Sequence, residues 1–107
     1  MERIHYDNLQ ETLYYEVMDN GLRVYVLPKP GFQKTYATFA TKYGSVDNHF
    51  KVEGEAEVRV PDGIAHFLEH KMFEEPEGDI FAKFASNGAS ANAFTSFDQT
   101  VYLFSAT

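Results

Sequence analysis

Three features of this 107-residue chain predict an α+β fold. Two β-rich runs meet at an Asn-Gly turn near the start, two stretches in the second half have helical apolar spacing, and two more β-rich runs follow them. The order β-β-β-α-α-β-β implies helices packed on one face of a mainly antiparallel sheet. The length suits one domain and is too short for two, and 44% hydrophobic and 16% aromatic residues supply a core.

Taken in order, Thr12 to Met18 and Leu22 to Leu27 are strands joined by Asp19-Asn20-Gly21, whose preference for positive φ makes a hairpin. After Pro28-Lys29-Pro30-Gly31, the segment from about Thr35 to Tyr43 alternates around Tyr36, Thr38 and Phe39 and reads as a third strand that Gly44 and Ser45 end. Residues 44 to 60 lack periodicity and read as a surface loop able to flex. A helix is expected from Pro61-Asp62 to about Phe73, with Asp62 as N-cap. Ile64, Phe67, Leu68, Met72 and Phe73 leave it little polar surface, so burial on most sides is expected. A second helix, about Asp79 to Asn87, carries Ile80, Phe81 and Phe84 on one stripe and stops at Asn87-Gly88, a left-handed ending. Ala89 to Ser96 and Thr100 to Ala106 are strands across the turn Phe97-Asp98-Gln99. The apolar run Val101-Tyr102-Leu103-Phe104 belongs inside a sheet with both faces packed, yet nothing after Thr107 can cover it. The chain is therefore expected to be the N-terminal piece of a longer protein.

Composition narrows the function. A net charge of −7 argues against a nucleic-acid surface, and the acids gather at Glu53, Glu55 and Glu57 and again at Glu74, Glu75, Glu77 and Asp79, which read as solvated loops. No run of about 18 apolar residues offers a membrane span, and the polar start lacks a signal-peptide core, so a cytoplasmic location without membrane attachment is expected. Without cysteine, any metal must be held by His and carboxylate.

One pentapeptide meets that demand: His66-Phe67-Leu68-Glu69-His70, an H-x-x-E-H motif with the spacing of an inverted zinc-peptidase site. Side chains four apart on a helix stand one above the other, so His66 and His70 can offer two imidazole nitrogens to one Zn²⁺. Glu69 looks over the same face. A carboxylate beside a zinc-activated water, whose pKa falls to about 7, can take its proton as general base. A single histidine on an apolar helix is more often a hydrogen-bonded core residue; two at i and i+4 with a glutamate between them reverse that reading. Buried and unpaired, Glu69 would cost several kcal/mol, so it needs a partner, which a metal ion or metal-bound water would supply. His5, near a frayed terminus, and His49, in a polar loop, read as solvated. Asn92 is a poor strand former that reads either as an edge or bulge position or as an amide aligning an extended peptide along the strand, with Phe94 shaping a pocket.

Asp62 to Phe73, Gly88 to Ser96 with its Asn92-Ala93-Phe94-Thr95, and Asp98-Gln99-Thr100-Val101-Tyr102 together resemble the start of the insulinase-like (pitrilysin, mitochondrial-processing-peptidase) zinc metallopeptidases, the inverzincins. The wording around the helix is closest to bacterial cytoplasmic members. The resemblance implies that residues 1–107 are the N-terminal part of a single, incomplete insulinase-like domain. It implies a zinc endopeptidase in which His66 and His70 bind zinc, Glu69 is the base and a glutamate beyond residue 107 is the third ligand. Asn92, Ala93 and Phe94 fall on the family's substrate-binding edge strand. The implied partners are a peptide substrate, the remainder of the chain and a homologous half, from the same chain or from a homo- or hetero-dimer partner. Some family members lack the motif and serve as non-catalytic partner subunits, which is the alternative role. A purely structural metal site would need a closed coordination sphere that this segment does not offer.

Overall fold

Residues 1–107 are all described by a computed structural model, in which the chain divides into two units, Met1–Phe32 and Gln33–Thr107. The first is a three-stranded antiparallel sheet in the order β1-β2-β3, with β1 Glu2–Tyr6, β2 Glu11–Val17 and β3 Arg23–Val26. The β2–β3 hairpin is the one that Asn20-Gly21 predicts. Gly21 has φ +86°, its amide bonds Met18 O at 2.8 Å, and Asn20 Oδ1 accepts from the Leu22 amide at 3.0 Å. Tyr15 lies opposite Tyr25 with ring centroids 4.9 Å apart, an aromatic cross-strand pair. Strand β1 is a correction to the sequence reading: His5 is not in a frayed end but pairs with Thr12, its Nδ1 2.8 Å from Thr12 Oγ1. All five β1 residues are exposed, so no buried face left an alternating pattern to read.

The second unit is built on an antiparallel sheet ordered β4-β10-β9, with β4 Thr35–Thr41, β9 Ser90–Thr95 and β10 Thr100–Ala106. The apolar run Val101–Phe104 thus occupies the central strand. Between β4 and β9 come β5 His49–Phe50, β6 Val58–Arg59, helix α1 Ile64–Met72, β7 Glu74–Glu75, β8 Gly78–Asp79 and helix α2 Ile80–Ser86. Register puts Thr100, Tyr102 and Phe104 of β10 on the same face as Thr95, Ala93 and Ala91 of β9. Both helices cover that face. Phe73 stacks on Phe81 at 4.5 Å and meets Tyr102 at 5.8 Å, and Phe84 stacks on Phe104 at 5.5 Å. The expectation of helices on one face of an antiparallel sheet holds.

Helix α2 ends as its sequence requires. Gly88 has φ +72°, its amide bonds Ala85 O and that of Ala89 bonds Phe84 O, the double bond of a Schellman ending. Asp79 caps its start through the Phe81 amide at 2.8 Å. At α1 the expected cap is corrected: the N-cap is Gly63 at φ +86° with no side-chain bond, because Asp62 Oδ1 is taken by Asn48 Nδ2 at 2.7 Å. That bond, with Val60 N to Asn48 O at 2.8 Å and the short β5–β6 ladder, ties down a segment expected to be irregular. The acidic run 74–79 is also more ordered than a loop. It folds into the β7–β8 hairpin, and Lys71 pairs with Glu74 and Lys83 with Glu75 and Glu77. Those charges are met within the chain, and the Lys83 ammonium is held above its ordinary range chiefly by its hydrogen bond and attraction to Glu75.

The burial expected for α1 does not hold. Only Ala65 and Glu69 of the helix are buried, while Phe67, Leu68 and Met72 are each about half exposed. One three-stranded sheet covers one side of a helix and no more. No helix is long and apolar enough to cross a membrane.

Gly44 is required by a close approach: a Cβ there would lie 2.3 Å from Phe97 O and 2.5 Å from the Asp98 amide nitrogen, both backbone atoms. Gly44→Ala is therefore expected to destabilise the second unit by about 1–3 kcal/mol. Urea unfolding checks this, and an unchanged midpoint would show that the Phe97–Asp98 turn gives way freely.

Candidate metal centre

Helical periodicity stacks His66 over His70. Their Nε2 atoms are 3.0 Å apart and their rings meet edge-on at 4.6 Å. Two nitrogens at that separation can both lie about 2.0–2.1 Å from a single ion, so the pair fits a zinc-type donor set. Without an ion the same approach is a ring-to-ring hydrogen bond in which one imidazole is the donor.

Glu69 completes the group. Ligand atoms of His66, Glu69 and His70 all lie within 4.8 Å of one another, and Glu69 Oε2 is 3.4 Å from His66 Nδ1. The three differ in setting: both histidines are exposed, while Glu69 keeps 8% of its surface in solvent, pressed between α1 and the sheet. Its carboxylate has the partner that its burial demands, since Thr95 Oγ1 of β9 donates to Glu69 Oε2 at 2.5 Å. Tyr102 lies half-buried on the same face. Its phenol is pushed above its ordinary range, first by burial and second by the negative charge of Glu69.

The strand residues singled out from sequence divide between two faces. Ala93 shares the helix-covered face with Thr95, whereas Asn92 and Phe94 point from the opposite face and are exposed. Asn92 Oδ1 accepts from the Ala93 amide at 2.8 Å, so this side chain is engaged with its own strand. β9 is an edge of its sheet. His66, Glu69 and His70 are thus brought together, and Asn92 and Phe94 are not brought to them. The site contact that the sequence reading left without a role is Thr95. Its signal was strand parity: two residues beyond Ala93, it falls on the face that the helices cover.

The sequence model of the insulinase family (peptidase family M16) matches residues 55–107, which contain this whole group. The chain is 68% identical over 105 residues to the uncharacterized zinc protease YmfH of Bacillus subtilis (strain 168), covering 97% of this chain and 24% of that protein. The structure is similar to the crystal structure of an M16-like peptidase from Alicyclobacillus acidocaldarius, with a TM-score of 0.79 and 54% identity over 91% of this chain and 23% of that one. The chain belongs to the insulinase family. A more distant relative is the peroxisomal insulin-degrading enzyme-like 1 of Arabidopsis thaliana, 32% identical over 82% of this chain and 9% of that protein. This insulinase-family chain spans about a quarter of the length of the bacterial relatives it matches.

Tyr102 offers a probe of the site's charge. The neutral phenol is favoured in the fold, so the stability it adds is present below the unfolded value of about 10 and is lost as pH rises through the higher folded value. The absorbance difference between wild type and Tyr102→Phe should give a tyrosinate midpoint above 10, and Glu69→Gln should bring it only part of the way back, because burial is the larger cause. A midpoint at the ordinary value in wild type would contradict the burial of this ring against α1.

Proposed function

We propose that this chain carries two of the three zinc ligands and the general base of a metalloendopeptidase. The observation that carries the proposal is the convergence of His66 and His70 Nε2 to 3.0 Å beside a buried glutamate within the same 4.8 Å cluster. The names of the bacterial relatives, which include zinc proteases, support the same reaction class.

In this reading His66 and His70 hold zinc, and a third ligand comes from chain beyond residue 107 in a longer protein of which this is the N-terminal part. Zinc, when bound, supplies positive charge that polarises the scissile carbonyl and brings the pKa of a water toward neutrality. Glu69 accepts a proton from the attacking water. Its fixed position matters more than its basicity, since a base must lie within hydrogen-bond reach of the proton that it removes. Edge strand β9 receives an extended peptide by main-chain pairing along Asn92, Ala93 and Phe94, with the side chains of alternate residues directed to opposite faces. The intact His66, Glu69 and His70 argue against a non-catalytic partner subunit, although a dimer or a second half of the same chain remains part of the proposal as the wall that encloses the peptide.

A pair of variants of the full-length protein separates ligand from base. His70→Ala should lose most of its zinc, because one ligand of about three is removed. Glu69→Gln should keep zinc and lose peptide hydrolysis by about 10²-fold or more, since the amide preserves shape and removes the proton acceptor. Metal analysis and a chelator-controlled peptide assay read both. Stoichiometric zinc in the first variant would remove His70 from the ligand set, and near-normal turnover in the second would remove Glu69 as base.

A further inference from the structure

We infer that Thr95 is a positioning residue for Glu69, its hydroxyl setting where the carboxylate of α1 stands relative to edge strand β9. The inference rests on the reading of Glu69 as general base. The two residues are 26 apart in sequence and belong to different elements, yet Thr95 Oγ1 and Glu69 Oε2 are 2.5 Å apart, in the range of a charge-assisted O–H···O⁻ bond. A glutamate side chain has three rotatable torsions, and a helix alone does not select among them. Thr95 can select because it is itself held twice. Its β-branched side chain is stiff at χ1, and its strand position is paired with Thr100, a fully covered residue whose Oγ1 donates to Tyr43 O at 2.7 Å. The direction of the hydroxyl is therefore set by the sheet and not by the helix. A peptide lying on the outer edge of β9 and a base on α1 would then share one reference, the last residue of that strand. Productive geometry between base and scissile bond would depend on this bond, while the two exposed histidines, neither of which hydrogen-bonds to Thr95, would keep their hold on zinc.

The test uses the zinc-loaded full-length protein and Thr95→Val, which keeps the shape and removes the donor, with Thr95→Ser, which keeps the donor. Thr95→Val should lower kcat by about 10- to 100-fold with KM nearly unchanged, and Thr95→Ser should restore most of it. Zinc affinity, read by competition with a chelator, should be the same in all three proteins. A second readout needs no metal: in zinc-free protein labelled with ¹³C at glutamate side-chain carboxyls, the Glu69 signal, identified by its absence in Glu69→Gln, should move in Thr95→Val and stay in Thr95→Ser. Unchanged kcat in Thr95→Val, a serine variant as impaired as the valine variant, zinc affinity that falls in step with kcat, or an unmoved carboxyl signal would each overturn the inference. Should Thr95→Val fail to fold, Thr95→Ala against Thr95→Ser gives the same comparison. A zinc-bound wild type that hydrolyses no peptide would instead bring down the general-base reading, and the zinc-free carboxyl signal would still decide whether Thr95 holds Glu69.

Discussion

A carboxylate pressed between a helix and a strand must be given a hydrogen-bond donor, and the geometry of this site follows from the donor that Glu69 receives. Left alone at 8% exposure it would carry an uncompensated charge in a poorly solvated place. Thr95 of β9 meets it, which fixes the rotation of α1 about its own axis. Once Glu69 faces the sheet, the helical repeat puts His66 and His70 on the flank of the helix, open to solvent and one turn apart. The same rotation directs Ala65 and Phe73 inward, where Phe73 stacks on Phe81 and meets Tyr102 at a tilt. One buried polar contact and one aromatic stack thus hold the C-terminal half of α1 on the sheet.

The apolar surface left over is also informative. Phe67, Leu68 and Met72 stand out from α1, and an open apolar cleft of ≈ 350 Å³ lies between the helices and the sheet, bordered by Phe39, Met72, Phe84 and Phe104. Helix positions that are apolar on nearly every side match a helix enclosed on nearly every side. The described residues enclose only one. A family member that spans about a quarter of its bacterial relatives' length supplies a natural setting for such surface.

Much of the fold was legible because the chain is well punctuated. Asn20-Gly21 and Asn87-Gly88 stand where positive φ is needed, and the β2–β3 hairpin and the end of α2 fall within a residue or two of their expected places. Alternation in Thr35–Thr41 located β4, and the continuous apolar run Val101–Phe104 located β10. What escaped were elements without a buried face: β1, exposed throughout, and the two-residue ladders β5–β6 and β7–β8, too short for any period to register. The Asp62 cap failed for another reason, since an Asn48 fourteen residues away competes for the same oxygen, and local pattern does not reveal that. At the site, the spacing of His66 and His70 was readable because a helix makes it geometric. The partner of Glu69 was not, because a contact across 26 residues depends on strand register and on which face the helix covers.

In the proposed reading, this interface leaves two imidazoles free to share one ion and keeps the carboxylate out of its coordination sphere. Anomalous diffraction at the zinc edge from crystals of the full-length protein tests it most directly. A single strong peak is expected within bonding distance, about 2.0–2.1 Å, of both His66 and His70 Nε2, with Glu69 outside the coordination sphere and still hydrogen-bonded to Thr95. A peak bonded to Glu69, or zinc bound elsewhere with His66 and His70 unoccupied, would contradict it.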